Sequence, residues 1–334
     1  MSDDAQSYAA IRTGAVWYER HSVATVLRGE HRHAVLAALT AKRTEYTEVG
    51  SVLESLVLRQ DGMVLDLITV FPRADDVLLL GSADLSEAIG EAAAIAGATR
   101  FAWEDVSASH PVIAVEGPAS WRVADEYTDD DIATVLLNET RPATAAATTA
   151  VPASSMVLAR VGTTAEYGYL LIAADCDPAV LRADVRGRVE AIGGGAATPA
   201  ALERARAEVS HPLVPAQFDG LTVRQAGVRW LTSPDREDDY LGRAALLAQE
   251  AGSTLVAVTS EQEIEPGAAI TAAGEPCGRV HLVVPRVGQE RAFALALLEP
   301  PFAVPGLVLD AGGATLTTVS RPAVDPRSWV EAMA

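Results

Sequence analysis

The chain has 334 residues, 49% hydrophobic and 21% charged, a globular composition that excludes wholesale disorder and, at roughly 150 residues per domain, implies two or three domains. Acidic residues outnumber basic ones 45 to 26, a formal charge of −19. That balance excludes a broadly basic face, so neither nucleic acid nor an anionic membrane is an expected partner.

The two cysteines, Cys176 and Cys277, are too few and too widely spaced for a disulfide framework or a zinc site, so reduced thiols are expected. The N-terminus is polar and acidic where a signal peptide is basic and then apolar, and no apolar run reaches the roughly 18 residues of a membrane span. A cytoplasmic protein is the expectation.

In chain order, a strand is expected over 23–27 and a short helix over 30–39, where Val35, Leu36 and Leu39 share a face at helical spacing. Strands over 52–59 and 63–71 are joined by Gln60-Asp61-Gly62, and Asp-Gly between apolar runs is a strong hairpin signal. A strand at 77–80 extends the meander, and the Ala-, Glu- and Leu-rich stretch 83–96 reads as a helix ended by Gly97. Strands at 100–103 and 112–115 precede Gly117-Pro118, where proline opens a further helix. Elements in this order form an α+β unit.

Residues 140–155 are almost only Ala, Thr, Pro and Ser, the composition of a surface loop or linker. Strands at 157–161 and 167–173 follow, then a helix over 178–192 capped by Asp177, another over 199–209, and a third near 242–251. From Thr254 onward, short β-rich runs separated by Gly or Pro, with no helix before Ser328, predict a small antiparallel barrel or sandwich as a separate C-terminal domain.

Short chemical motifs alone say little. Gly193-Gly194-Gly195 follows a helix rather than a strand and lacks the lysine of a phosphate loop. His31 and His33, two apart, point to different faces of a helix and do not share a metal. A Gly-x-Ser-x-Gly elbow is absent.

Several segments, in order, resemble the aminomethyltransferase family, which includes the glycine cleavage T-protein and the folate-binding domains of sarcosine and dimethylglycine oxidases. The stretch 29–39 is similar to its "G-x-x-A-x-x-x-L" helix, the hairpin D-G-M-V-L-D-L-I at 61–68 to "G-G-I-L-D-D-L-I", and Val115-Glu116-Gly117-Pro118-Ala119 to "x-x-G-P-x-A". The most specific segment is R-V-G-T-T-A-E-Y-G-Y at 160–169, which lies without a gap on "R-T-G-Y-T-G-E-D-G-F". Further on, Arg206-Ala207-Glu208 resembles "L-R-x-E", Y-L-G-R-A-A-L at 240–246 resembles "F-I-G-K-E-A-L", and Gly278-Arg279-Val280 resembles "V-G-R-V".

The resemblance implies an α+β fold of three domains in a ring. Residues 1–50 with 140–245 would form a discontinuous first domain, 51–139 an inserted ferredoxin-like domain, and 246–334 a C-terminal antiparallel β-barrel. It further implies tetrahydrofolate as co-substrate in a central channel, transfer of a one-carbon unit between an amine-type substrate and folate N5, and a small-molecule amine or one-carbon donor and a carrier protein as candidate partners. Asp66 matches the second acid of the hairpin motif, near the reacting atoms, and Glu166 matches the glutamate that hydrogen-bonds the pterin. A carboxylate pairs bidentately with a pterin's amide and amine donors, and a fixed carboxylate stabilises the cation through which a formaldehyde-level carbon passes. Asp66 is thus the candidate catalytic residue, and Glu166, Arg206, Tyr169 and Thr164 are the candidate folate contacts.

Each has a structural alternative: Asp66 as a plain hairpin residue, Glu166 as the cap of a turn, Arg206 and Glu208 as a solvated helix face, Tyr169 and Trp230 as core. Departures from the family touch substrate-side and folate-tail elements more than the pterin floor. Leu65 stands at the first acid, Ala165 and Tyr167 replace Gly and Asp of the signature turn, Leu202 replaces an arginine, and 281–283 read H-L-V where the family has T-S-G. These losses predict a one-carbon transferase other than the glycine cleavage enzyme itself. A non-catalytic folate-binding or assembly protein, and a scaffold holding another metabolite, are the alternatives; the cysteine-bearing motif of the iron–sulfur assembly branch is absent from 238–243.

Overall fold

A computed structural model describes residues 2–20, 23–143, 156–250, 252–288, 291–330 and 333. Most of the expected 140–155 linker lies outside the described residues, apart from a short strand, Thr140–Pro142, at its start and Met156–Ala159 beyond it.

The described residues form a five-stranded sheet, a six-stranded sheet and a closed barrel. The five-stranded sheet is antiparallel throughout, in the spatial order Leu53–Leu58, Val64–Pro72, Asp76–Gly81, Val23–Arg28, Ala102–Asp105. Its Asp-Gly hairpin forms as expected: Gly62 takes a φ of +77°, open to glycine at no steric cost, and Asp61 Oδ1 accepts the Met63 amide at 2.9 Å. Helices Arg32–Leu39 and Ser86–Ile95 cover the outer face, packing Val35, Leu39 and Ile89 on Ile68, Val70 and Leu79.

The six-stranded sheet runs Gly195–Ala196, Val16–Glu19, Val112–Glu116, Gly168–Ala173, Met156–Ala159, Thr140–Pro142. Helices Ser120–Asp125 and Pro178–Ala191 cover its outer face, the second capped by the Asp177 side chain as expected. Inner faces meet through Val16, Ala114 and Leu170 on one side and Val26, Phe71 and Leu80 on the other. The barrel closes Thr254–Ser260 against both Ala292–Leu298 and Ala314–Val319, which leaves no free edge. It joins the inner face of the five-stranded sheet through Leu56 and Leu67 packed with Leu255, Phe293 and Leu297. The fold is therefore α+β with a C-terminal β-barrel, and none of the described helices is long and apolar enough to cross a membrane.

The sheets divide the chain differently from the expected boundaries. Val23–Arg28, expected with the first domain, is an interior strand of the five-stranded sheet, and Val112–Glu116, expected in the inserted domain, is interior to the six-stranded one. The physical reason is burial on both faces: Val112–Glu116 is buried at every position, so it needs a pairing partner on each side and a covered face above and below. The helix Asp3–Thr13, capped by the Ser2 side chain, has no counterpart in the sequence reading, because only Ala5, Ser7 and Ile11 of it are buried and its apolar stripe is faint.

Candidate functional site

Side chains alternate between the faces of a strand, so register decides which residues can meet. On the five-stranded sheet Glu54 pairs with Thr69 and Leu56 with Leu67, while Val57 pairs with Asp66. Leu56 and Leu67 pack toward the barrel, so Glu54 and Thr69 share the inner face; Val57 packs under the helices, so Asp66 points to the outer face.

Asp66 is completely buried there. Its Oδ1 accepts the Leu67 amide at 2.9 Å and the Ser82 hydroxyl at 2.6 Å, and its Oδ2 accepts the amides of Ser82 at 2.6 Å and Ala83 at 2.9 Å. Four donors use the lone pairs of both oxygens. The carboxylate ties the end of strand Asp76–Gly81 to the start of helix Ser86–Ile95, and a side chain at Gly81 would meet its Oδ2 at 2.5 Å.

Tyr169 is likewise on an outer face. Its strand sends Leu170 and Ile172 inward, and the Tyr169 ring is buried with Val115, Leu171 and Val185, its hydroxyl without a hydrogen-bond partner among the described residues and its pKa pushed up to about 12, chiefly by burial. Trp230, expected in the core, is instead 54% exposed, with the Lys42 ammonium 5.7 Å from its ring centre.

The signature turn does bring Thr164, Glu166 and Arg206 together. Gly162 and Gly168 cross back to back so closely that a Cβ on Gly168 would overlap the Gly162 Cα. Glu116, fully buried, binds the turn with five donors: the Thr163 amide and hydroxyl, the Thr164 amide and hydroxyl, and the Tyr18 hydroxyl at 2.6 Å. Arg206 donates to the Thr163 hydroxyl at 2.9 Å and the Tyr18 hydroxyl at 3.0 Å. Arg12, from the N-terminal helix, reaches the Thr164 carbonyl at 2.8 Å and lies between Glu166 at 3.4 Å and Glu208 at 3.2 Å. Glu166 also accepts the amides of Arg327 at 3.3 Å and Ser328 at 3.0 Å and the Ser328 hydroxyl at 2.7 Å, so the C-terminal turn occupies its carboxylate.

A second group of charges lies where the sheets meet, and motif comparison missed it. Arg20 continues the inward alternation of Val16 and Tyr18 and donates Nη2 to the Thr69 hydroxyl at 3.0 Å. Its Nη1 and the Oε1 of Glu54 are sealed from solvent with no hydrogen-bond partner among the described residues. Burial raises the Glu54 pKa, with Glu116 adding and Arg20 and Lys42 opposing. Lys42 is lowered by burial against the pull of Glu54, and His211 well below 6.5 by burial and then by Arg206 and Arg20. Arg20, Lys42, Glu54, Arg206 and His211 each keep some exposure, unlike Asp66 and Thr164. Shifted ionisable groups gathered with incompletely partnered ones make this place a candidate functional site. The available signal was a charged residue in phase with Leu56 and Leu58 of L-E-S-L-V-L at 53–58.

Two surface clefts flank the hairpin tip, with Leu65 in the wall of both. One, of about 370 Å³, is lined by Arg59, Met63, Leu65, Pro215 and Phe218; the other, of about 330 Å³, by Gln60, Asp61, Leu65, Glu87 and Leu241.

The model of the GCVT N-terminal domain matches residues 3–236. An aminomethyltransferase of Thermus thermophilus is 28% identical over 296 residues, covering 87% of this chain and 81% of that protein. The aminomethyltransferase of Streptomyces coelicolor is 26% identical over 314 residues, covering 90% and 82%. In three dimensions the glycine cleavage system aminomethyltransferase T from Bartonella henselae superposes with a TM-score of 0.80 over 97% of this chain and 90% of that one, at 16% identity, a likeness of fold. With the family model matching most of its length, the chain belongs to the GCVT family and is a divergent member of the aminomethyltransferases.

Proposed function

We propose that this protein is a tetrahydrofolate-dependent transferase that moves a one-carbon unit between an amine-type substrate and folate N5, in a reaction other than glycine cleavage. Family membership supports the reaction class. The observation that carries the reading is the acceptor Glu54 Oε1 and, near it on the inner face, the donor Arg20 Nη1, both without a hydrogen-bond partner among the described residues. A pterin edge offers both donors and acceptors and complements such a pair. Lys42 and Arg206 add positive potential suited to a carboxylate tail in an otherwise acidic chain. Bound folate would supply the nitrogen that takes or gives the carbon, while the protein's groups orient it and handle the protons. Leu65, an aliphatic side chain at the register shift of the hairpin, holds no proton, which supports a reaction outside glycine cleavage. Thr164 and Glu166 then serve the site by fixing the signature turn, and Arg206 by bordering the polar interior.

The saturation of Glu166 by the C-terminal turn favours one second reading, a different metabolite in the same interior. Calorimetric titration with tetrahydrofolate and its 5-methyl and 5,10-methylene forms separates the two, followed by assays with N-methylated amines and with an aminomethyl-loaded lipoyl carrier protein. Folate binding and turnover of a free amine are expected. Absence of folate binding overturns the folate reading, and turnover with the carrier overturns the exclusion of glycine cleavage.

A further inference from the structure

We propose that Glu54, rather than Asp66, is the catalytic carboxyl group that carries the proton during one-carbon transfer; this rests on the transferase reading above. Register puts Glu54 opposite Thr69 on the inner face, between the cluster that joins the barrel through Leu56 and Leu67 and the one that joins the six-stranded sheet through Val52 and Phe71. An acid at the junction of two apolar clusters costs stability unless it is hydrogen-bonded or paired. Its Oε1 is enclosed and has no hydrogen-bond partner among the described residues, whereas Asp66 faces the opposite side with four donors on its carboxylate. Asp66 has no acceptor site left for a substrate proton.

The charged groups that act on Glu54 are Arg20, which follows strand Val16–Glu19, Lys42, which follows helix Arg32–Leu39, and Glu116 from strand Val112–Glu116; Arg20 and Arg206 act in turn on His211. Burial and Glu116 push the Glu54 pKa up, favouring the protonated acid, and Arg20 and Lys42 oppose them, so the site holds groups that favour each form of the acid. The transfer calls for that. When the carbon leaves its first nitrogen, the C–N bond breaks with its electron pair on nitrogen, and Glu54 gives that nitrogen its proton. The accepting nitrogen forms its new bond to carbon with its lone pair and sheds a proton, which the Glu54 carboxylate takes back. Protons and electrons balance with no oxidant or reductant.

The test compares wild type, Glu54→Gln, Glu54→Asp and Ser82→Ala in folate titration and amine turnover, with a pH titration of ¹³C-labelled glutamate carboxyls by NMR in the ligand-free protein. Glu54→Gln is expected to lose about 100-fold or more in kcat at saturating folate, apart from the affinity lost with its pterin contact. Glu54→Asp should recover part of the rate, and one glutamate resonance titrating above the usual carboxylate range should vanish in Glu54→Gln. Ser82→Ala, which removes one donor from Asp66, is expected to lower thermal stability and leave kcat intact. A Glu54→Gln enzyme that turns over like wild type, or the absence of that resonance, overturns the proposal while folate binding leaves the transferase reading standing. No folate binding by wild type overturns both.

Discussion

At the scale of single residues, Asp66 and Glu54 sit on adjacent strands with opposite surroundings, and the difference is measurable. Asp66→Ala leaves the Ser82 and Ala83 amides without an acceptor, a loss of about 3 kcal/mol or more. Urea denaturation should show that loss in the midpoint, and a variant as stable as wild type contradicts the arrangement. Ala165 is held at a φ of +60° in the turn where the family has glycine, and an L-residue there costs about 1–2 kcal/mol. Ala165→Gly is therefore expected to raise the melting temperature, a gain that scanning calorimetry reads directly. Glu54 was within reach of the sequence, since it alternates in phase with Leu56 and Leu58, but motif comparison drew attention to the acid of the neighbouring strand. The orientation of Asp66 was not legible, because it depends on a register shift at Leu58 that only the folded pair reveals.

Among the elements, the signature turn and the C-terminal turn depend on each other. The Ser328 hydroxyl donates to Glu166 and accepts the Tyr167 amide at 2.9 Å, so Ser328→Ala removes both bonds. A cost of about 1–2 kcal/mol follows, with faster hydrogen exchange at Tyr167; unchanged protection there would contradict the coupling. The hairpin, the helix caps and the barrel strands were legible because their signals are local: Asp-Gly, Asp177 before Pro178, and short alternating runs. Contact between residues 166 and 328 has no local signal. The same holds for sheet membership, since Val23–Arg28 is fixed by partners at 76–81 and 102–105 rather than by its own sequence.

For the whole molecule, histidine burial sets the response to acid. His211 is held well below its ordinary 6.5 by burial and then by Arg206 and Arg20, and His33 and His110 are lowered first by burial too. Below pH 6.5 the unfolded chain takes up protons that the folded chain refuses, so stability is complete above that value and declines as pH falls toward the lowered folded pKa. His211 contributes a slope of up to about 1.4 kcal/mol per pH unit over that range. His211→Asn should flatten the decline in denaturation series between the ordinary histidine range and mild acid, and an unchanged slope would falsify the assignment. The three-part architecture was legible through the resemblance, whose matched segments run along most of the chain. The polar interior was not, because Arg20, Lys42, Glu54 and His211 come from segments that share no motif and meet only when the sheets stack.

The most direct measurement is a crystal structure of the protein soaked with 5-methyltetrahydrofolate. A ligand edge seated on the inner face, within hydrogen-bond distance of Glu54 and Arg20, is the expected result. Density in the hairpin-tip clefts beside Leu65 and Arg59, with the inner face unchanged, would contradict it.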